Sequence, residues 1–206
     1  MKHAVIVAHP VPSSFNGAVA RTYANALTAS GADVLVRDLY GIGFDPCLRA
    51  AELPVPNGYG PGPDVAAERA LLQDVDVFAF VYPFWFNAPP AILKGYVDRV
   101  FSMGFGYAPT FGGTEPQLKG RGLISFSSSG APDAWVRSTG ALAALQTVFD
   151  HHLAGVCGLT VVDHVHFGGI VSDITPEAVE TMLDEVRATV TRHFHTAQQA
   201  GSRSHP

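Results

Sequence analysis

The stretch VDVFAFVYPFWFNAPPAILKGYVDRVF, residues 75–101, decides the fold. Its first part, Val75 to Tyr82, is an almost unbroken apolar run of strand length, the pattern of a parallel strand hidden on both faces. The run stops at Pro83. The last part, Ala91 to Phe101, places Ile92, Leu93, Tyr96, Val97 and Val100 at helical spacing, one apolar stripe. Strand, loop and helix in succession form the repeating unit of a doubly wound α/β sheet, and the unit recurs on both sides. Toward the N-terminus, Val5 to Ala8 reads as a strand that stops at His9-Pro10. A helical pattern follows from Ala18 to Ala29, ended by Gly31, and then a second strand from Val34 to Leu39. Toward the C-terminus come a strand from Leu123 to Phe126, a helix from Trp135 to Leu153 and a strand from Leu159 to Phe167. The last helix runs from Pro176 to about Ala197, with Pro176 in its first turn. Five strands alternating with helices predict a five-stranded parallel sheet in the order 2-1-3-4-5, with helices on both faces in three layers, α/β/α.

The 206 residues suit one domain, expected over 1–197, with a flexible tail over 198–206. Hydrophobic residues make up 47% and charged residues 15%, which excludes a disordered chain and points to surface covered by a second copy. A formal net charge of -5 excludes a basic nucleic-acid footprint. The apolar runs are too short for a membrane span, and MKHAVIVAHP is interrupted by Pro10 too early for a secretory signal. Cys47 and Cys157 do not make a disulfide framework; both are read as reduced, and the protein as cytoplasmic. Residues 53–63, dense in Pro and Gly, read as an excursion after the second strand.

In such sheets ligands bind beyond the carboxyl ends of the strands, here three loops. His9 to Asn16 leads into a helix N-terminus, which offers backbone N–H groups and a partial positive charge to an anion, with Ser14 and Asn16 as added donors. It carries neither a dinucleotide-binding glycine fingerprint nor a P-loop, and plain helix capping by Ser13 or Ser14 explains its residues equally well. The second loop, Tyr82 to Pro90, carries aromatic residues at Phe84, Trp85 and Phe86 beside Pro83, Pro89 and Pro90. A flat aromatic ligand would cover them; a buried aromatic cluster or a dimer interface is the other reading. The third, Ser127-Ser128-Ser129-Gly130, is small enough for a planar ring to approach the backbone, and taken alone is an ordinary turn. A phosphate end, an aromatic wall and a small polar edge together describe a site for a flavin nucleotide.

At these residues the chain resembles the NAD(P)H:quinone oxidoreductase family with the flavodoxin-like fold. The matching segments are AHP…SSFN at 8–16, DLY at 38–40, YPFWFNAPPAILKGYVDRVF at 82–101, GFGYAPTFGG at 104–113, FSSSG at 126–130 and VCGLTVVD at 156–163. The resemblance implies a homodimer, and the low charge fraction with the apolar run Phe101-Ser102-Met103-Gly104-Phe105 predicts Ala91–Phe101 or 104–113 at its interface. It also implies ping-pong chemistry, in which NAD(P)H delivers two electrons by hydride transfer and a quinone or similar aromatic acceptor then takes them. By position, His9, Ser14, Phe15 and Asn16 would bind the flavin phosphates and ribityl chain, and Pro83, Phe84, Trp85 and Phe86 the ring system. Ser127, Ser128, Ser129 and Gly130 would meet its pyrimidine edge. Tyr107 would close the pocket from the partner subunit, and Trp135 would stack on the acceptor. FAD is expected over FMN, with the excursion at 53–63 and Tyr59 as cover for an adenosine. Trp135 and Ala141 stand where mammalian-type members carry a tyrosine and a histidine that assist hydride transfer, so no general acid or base is assigned. An azo- or nitroreductase, or a non-catalytic flavin carrier or regulatory subunit, is the alternative.

The histidines point to no metal. His151 and His152 are neighbours on a helix and cannot chelate from one face. His164 and His166 share a strand face, with Asp163 turned to the other, and are read as polar residues at a strand end or subunit contact. Cys157 is read as a buried small hydrophobe.

Overall fold

The computed structural model describes residues 1–53 and 60–194. Tyr59, most of the excursion and the tail therefore lie outside the described residues. Strands β1 (Lys2–Val7), β2 (Asp33–Asp38), β3 (Val77–Pro83), β6 (Gly122–Ser128) and β7 (Thr160–Phe167) form one parallel sheet in the order β2-β1-β3-β6-β7. This is the 2-1-3-4-5 order expected of the five sheet strands. All seven residues of β3 are buried, as its apolar run requires.

Side-chain alternation along the strands divides the core in two. Ala4, Ile6, Phe78, Phe80, Tyr82 and Leu123 face α2 (Pro63–Leu72), α3 (Ala91–Val100) and the helical stretch after β6. Val5, Val7, Ala79, Val81, Ile124 and Phe126 face α1 (Phe15–Ala29) and α7 (Pro176–Phe194). Each fully buried Val, Ile or Phe contributes about 1.5–3 kcal/mol relative to an exposed one, so the period-two pattern fixes the register.

The structure differs from the expectations at four places. The strand read as Leu123–Phe126 extends through Ser127 and Ser128, because both have ladder partners on either side: Tyr82 and Pro83 on β3, His166 and Phe167 on β7. The helix read as Trp135–Leu153 is broken into α4 (Asp133–Ser138), α5 (Ala141–Leu145), a π-helical stretch (Gln146–His151) and α6 (His152–Cys157). Gly140, at φ +75°, supplies the left-handed break. The stretch 104–116 holds an antiparallel hairpin, β4 (Tyr107–Thr110) with β5 (Gly113–Pro116), that the residue pattern did not disclose. The first strand also starts earlier than Val5, since Lys2 and His3 pair with Asp33 and Val34.

The feet of the excursion are tied by a buried ion pair. Arg99, fully buried on α3, donates to Glu52 at 2.9 Å and 2.7 Å and to the carbonyl of Asp45 at 2.6 Å. Glu52 also accepts from the backbone N–H groups of Arg49 and Gly62. The Arg99 hydrogen bonds hold the Glu52 carboxyl below its usual range. Removing one partner strands the other charge in the core, so Arg99→Met should cost about 3–5 kcal/mol, while Arg99→Met with Glu52→Leu should recover most of it. Denaturant unfolding measures both; a loss below about 1 kcal/mol for the single variant, the scale of an exposed pair, contradicts this reading.

Candidate functional site

The parallel pairing brings the first and third loops and the end of β3 to one edge of the sheet. There they enclose a cleft of about 210 Å³. Ser14 caps α1, its Oγ accepting from the N–H of Gly17 at 3.2 Å. Gly17 has to be glycine, because a Cβ there would stand 2.2 Å from the carbonyl oxygen of Pro12. Asn16, buried at the first turn, donates from Nδ2 to Ser128 Oγ at 2.9 Å and so fastens the first loop to the third. Phe15 meets Phe167 edge to face at 5.4 Å. His9 Nδ1 lies 3.0 Å from the backbone N of Val11 and 3.2 Å from its carbonyl oxygen, so the ring is held against the first loop. The His9 ring stands 5.8 Å from that of Trp85.

His9, Ser14, Phe15 and Asn16 line this cleft together with Pro83, Trp85, Ser128, Ser129 and Gly130. A Cβ built on Gly130 would meet nothing closer than the Ile170 carbonyl at 3.7 Å, so its smallness leaves open space in the cleft. Ile170, absent from the sequence expectations, completes the lining.

The other expected residues stand elsewhere. Phe84 is buried beneath the cleft, edge-on to His166 at 5.8 Å, because its backbone N–H is drawn to the carbonyl of Ser128 at the strand end. Phe86 is fully exposed. Trp85 and Ala88 exchange both backbone hydrogen bonds, and the tight turn between them holds Phe86 at φ +49° and Asn87 at φ +57°. Two positive φ angles suit a two-residue hairpin, but a bulky aromatic is strained there. The Ser127 hydroxyl points into the core, not the cleft, 2.7 Å from His164 Nε2 and 2.8 Å from His166 Nδ1. Tyr107 lines a separate cavity of about 350 Å³ with Lys94, Asp98, Val148 and Cys157. Trp135, half-exposed on α4, is not among the residues lining the cleft.

Behind the third loop lies a group of polar side chains that the sequence reading did not bring together. Asp150, Ser125, His164, Ser127, His166 and Ser129 touch in a chain under the sheet edge. The signal was present: Ser125-x-Ser127 and His164-x-His166 are both polar at period two, and they lie directly opposite each other on adjacent strands. Asp163 turns to the other face and pairs with His193 of α7 at 2.9 Å, as the alternation predicts. Burial, then the charge of His164, lowers the His166 pKa to about 4. Burial, then the N-terminal amine, does the same to His3, whose Nδ1 meets the Tyr23 hydroxyl at 3.0 Å. Among the described residues no group of three or more His, Cys, Asp or Glu is arranged to hold a metal, and no helix is long and apolar enough to cross a membrane.

The chain is similar to known proteins along most of its length. A family model described as flavodoxin-like fold matches residues 1–190. An uncharacterized NAD(P)H oxidoreductase of Haemophilus influenzae is 33% identical, over 82% of this chain and 85% of its own. A ribosyldihydronicotinamide dehydrogenase [quinone] of Rattus norvegicus is 28% identical, over 82% of each. The structure of an NAD(P)H:quinone oxidoreductase from Methanothermobacter marburgensis superposes with a TM-score of 0.81 at 26% identity, covering 91% of this chain and 96% of that one.

Because His3 and His166 titrate near 4 when folded and near 6.5 when unfolded, the unfolded chain binds protons in that window that the folded chain does not. The stability they confer is complete above pH 6.5 and is lost as the pH falls toward 4. The melting temperature should drop across this window, and less steeply in His3→Gln. A melting temperature unchanged across it contradicts the assignment.

Proposed function

The chain belongs to the flavodoxin-like family of NAD(P)H oxidoreductases and quinone reductases, and on that premise we propose that it is a flavin-dependent enzyme that passes two electrons from NAD(P)H to a quinone or similar aromatic acceptor. The observation that supports this most is the cleft itself, which combines helix-N-terminal and side-chain donors, Trp85 and the open space at Gly130. His9, Ser14, Phe15 and Asn16 would hold the phosphate and ribityl portion. Pro83 and Trp85 would flank the ring system, and Ser128, Ser129 and Gly130 would meet its pyrimidine edge. Phe84 supports this floor from below, and Phe86 would touch a ligand only from the solvent side. When bound, the flavin supplies the hydride chemistry, and the protein binds and orients it. Donor and acceptor then use one site in turn, in ping-pong order.

Complete small-molecule pockets enclose about 300–1,000 Å³, more than the 210 Å³ here. A homodimer would add further cover to this open cleft, with Tyr107 of the hairpin offered to the partner. FAD is favoured over FMN. A second cavity of about 280 Å³, sharing His9 and bounded by Pro12, Arg21 and Asp38, adjoins the first and offers room beyond a single phosphate. A cytoplasmic setting suits the two free thiols, exposed Cys47 and buried Cys157.

The test is to reconstitute the purified protein with FAD and with FMN, then to follow NADPH consumption with a soluble quinone, an azo dye and a nitroaromatic as acceptors. Saturable binding with fastest turnover on the quinone is expected; no flavin bound after reconstitution overturns the reading, and inert bound flavin converts it to a carrier or regulator. Phe15→Ala with Asn16→Ala should weaken FAD by about tenfold more than FMN, about 1.4 kcal/mol. An equal loss would mean that these residues read only the phosphate common to both.

A further inference from the structure

The polar chain behind the third loop runs from the core to the cleft. Asp150, on the π-helical stretch, accepts from Ser125 Oγ at 2.8 Å through one carboxylate oxygen and meets His164 Nδ1 with the other. His164 Nε2 lies 2.7 Å from Ser127 Oγ, which lies 2.8 Å from His166 Nδ1; His166 Nε2 lies 3.0 Å from Ser129 Oγ. The side chains of Asp150 and His164 are each 1% exposed, while Ser129 lines the cleft.

Counting hydrogens gives the chain a direction. The Ser129 hydroxyl donates to the Ala131 carbonyl at 2.9 Å, so His166 must donate from Nε2 to Ser129. A neutral His166, which its burial enforces, then accepts at Nδ1 from the Ser127 hydroxyl. Ser127 Oγ is left to accept from His164 Nε2, and a proton remains between His164 Nδ1 and Asp150. Every contact holds one hydrogen, and the Asp150–His164 pair holds one proton more than a carboxylate beside a neutral imidazole.

We propose that Asp150, His164, Ser127, His166 and Ser129 form a proton relay that delivers this proton, through Ser129, to the ligand in the cleft. The inference rests on the proposed function for the identity of that ligand. A hydride from NAD(P)H brings two electrons and one hydrogen, and one proton must follow to restore charge. Ser129 turns its hydroxyl from Ala131 toward the cleft and releases its proton. His166 replaces it from Nε2, Ser127 passes its own proton to His166 Nδ1, and His164 passes the Nε2 proton to Ser127. Each O–H or N–H bond broken is matched by one formed, and no residue changes oxidation state. His164 ends neutral beside the Asp150 carboxylate, and a proton taken up from solvent at Ser129 returns along the same chain to restore the pair. The relay occupies the role left vacant by Trp135 and Ala141.

The other groups facing His164 are the edge of Tyr82 on β3, 6.4 Å between ring centroids, and His166; Asp133 and Arg137 of α4 act on His166. Burial, then the Asp150 charge, keeps the Tyr82 phenol protonated, so it does not compete for the proton.

Two measurements test the relay. In the ligand-free protein, nitrogen-15 NMR of the histidines should show hydrogens on both nitrogens of His164 and on Nε2 alone of His166. Hydrogen on Nδ1 alone in both rings, the discharged pattern, overturns the relay whether or not the protein binds a flavin. In the flavin-loaded protein, single-turnover reduction by NADPH should be independent of pH from mildly acidic to mildly alkaline solution. In Ser127→Ala it should fall by about a hundredfold, the low end of what a positioned proton donor contributes, and should follow the bulk proton concentration. Ser127→Thr, which keeps the hydroxyl, should restore the pH-independent rate. A Ser127→Ala protein as fast and as pH-independent as the parent overturns the proposal.

Discussion

Everything in this molecule follows from β3 lying in parallel between β1 and β6 with both of its faces sealed. A strand of Val, Phe, Ala and Tyr can be hidden that way only if helices cover both sides of the sheet, and the two core layers on even and odd residues are the result. Parallel pairing has a second consequence. It sends the carboxyl ends of β1, β3 and β6 to the same edge, so loops distant in sequence meet there. The hydrogen bond from Asn16 to Ser128, 112 residues apart in the chain, joins the two loops that this geometry brings together.

The same register sets the chemistry of the edge. Ser125 and Ser127 lie opposite His164 and His166 because β6 and β7 pair through a shift at Leu123–Ile124. The π-helical stretch then turns Asp150 toward them, in a layer otherwise filled by Phe80, Tyr82 and Phe149. Buried polar groups are tolerated when every member has a partner, and this chain meets that condition from Ser125 to Ser129. Such an arrangement is stiff, and it places one end of a stiff network on the wall of the cleft.

Much of this was legible in the residues. Apolar runs of strand length gave the five sheet strands and their order, and the chemistry of the loops gave most of the cleft lining. What escaped did so for physical reasons. Serine has no strong strand preference, so nothing local marked Ser127 and Ser128 as strand; their ladder partners put them there. Gly140 lies inside an otherwise helical pattern, and a single glycine reads as a tolerated interruption until its left-handed φ is seen. Phe86 looked like part of an aromatic wall, but the tight turn at Trp85–Ala88 swings it into solvent. The histidine stripe was visible as a face-sharing pair. Its partners Asp150 and Ser127 were not, because the contacts join three separate elements.

The most direct test of the account is a crystal structure of the protein grown with FAD. The account predicts the ring system against Gly130 and Trp85, the first phosphate over the Ser14 end of α1, and Ser129 Oγ within hydrogen-bond distance of a ring nitrogen or oxygen. A flavin bound elsewhere, or one whose ring lies out of reach of Ser129, would contradict it.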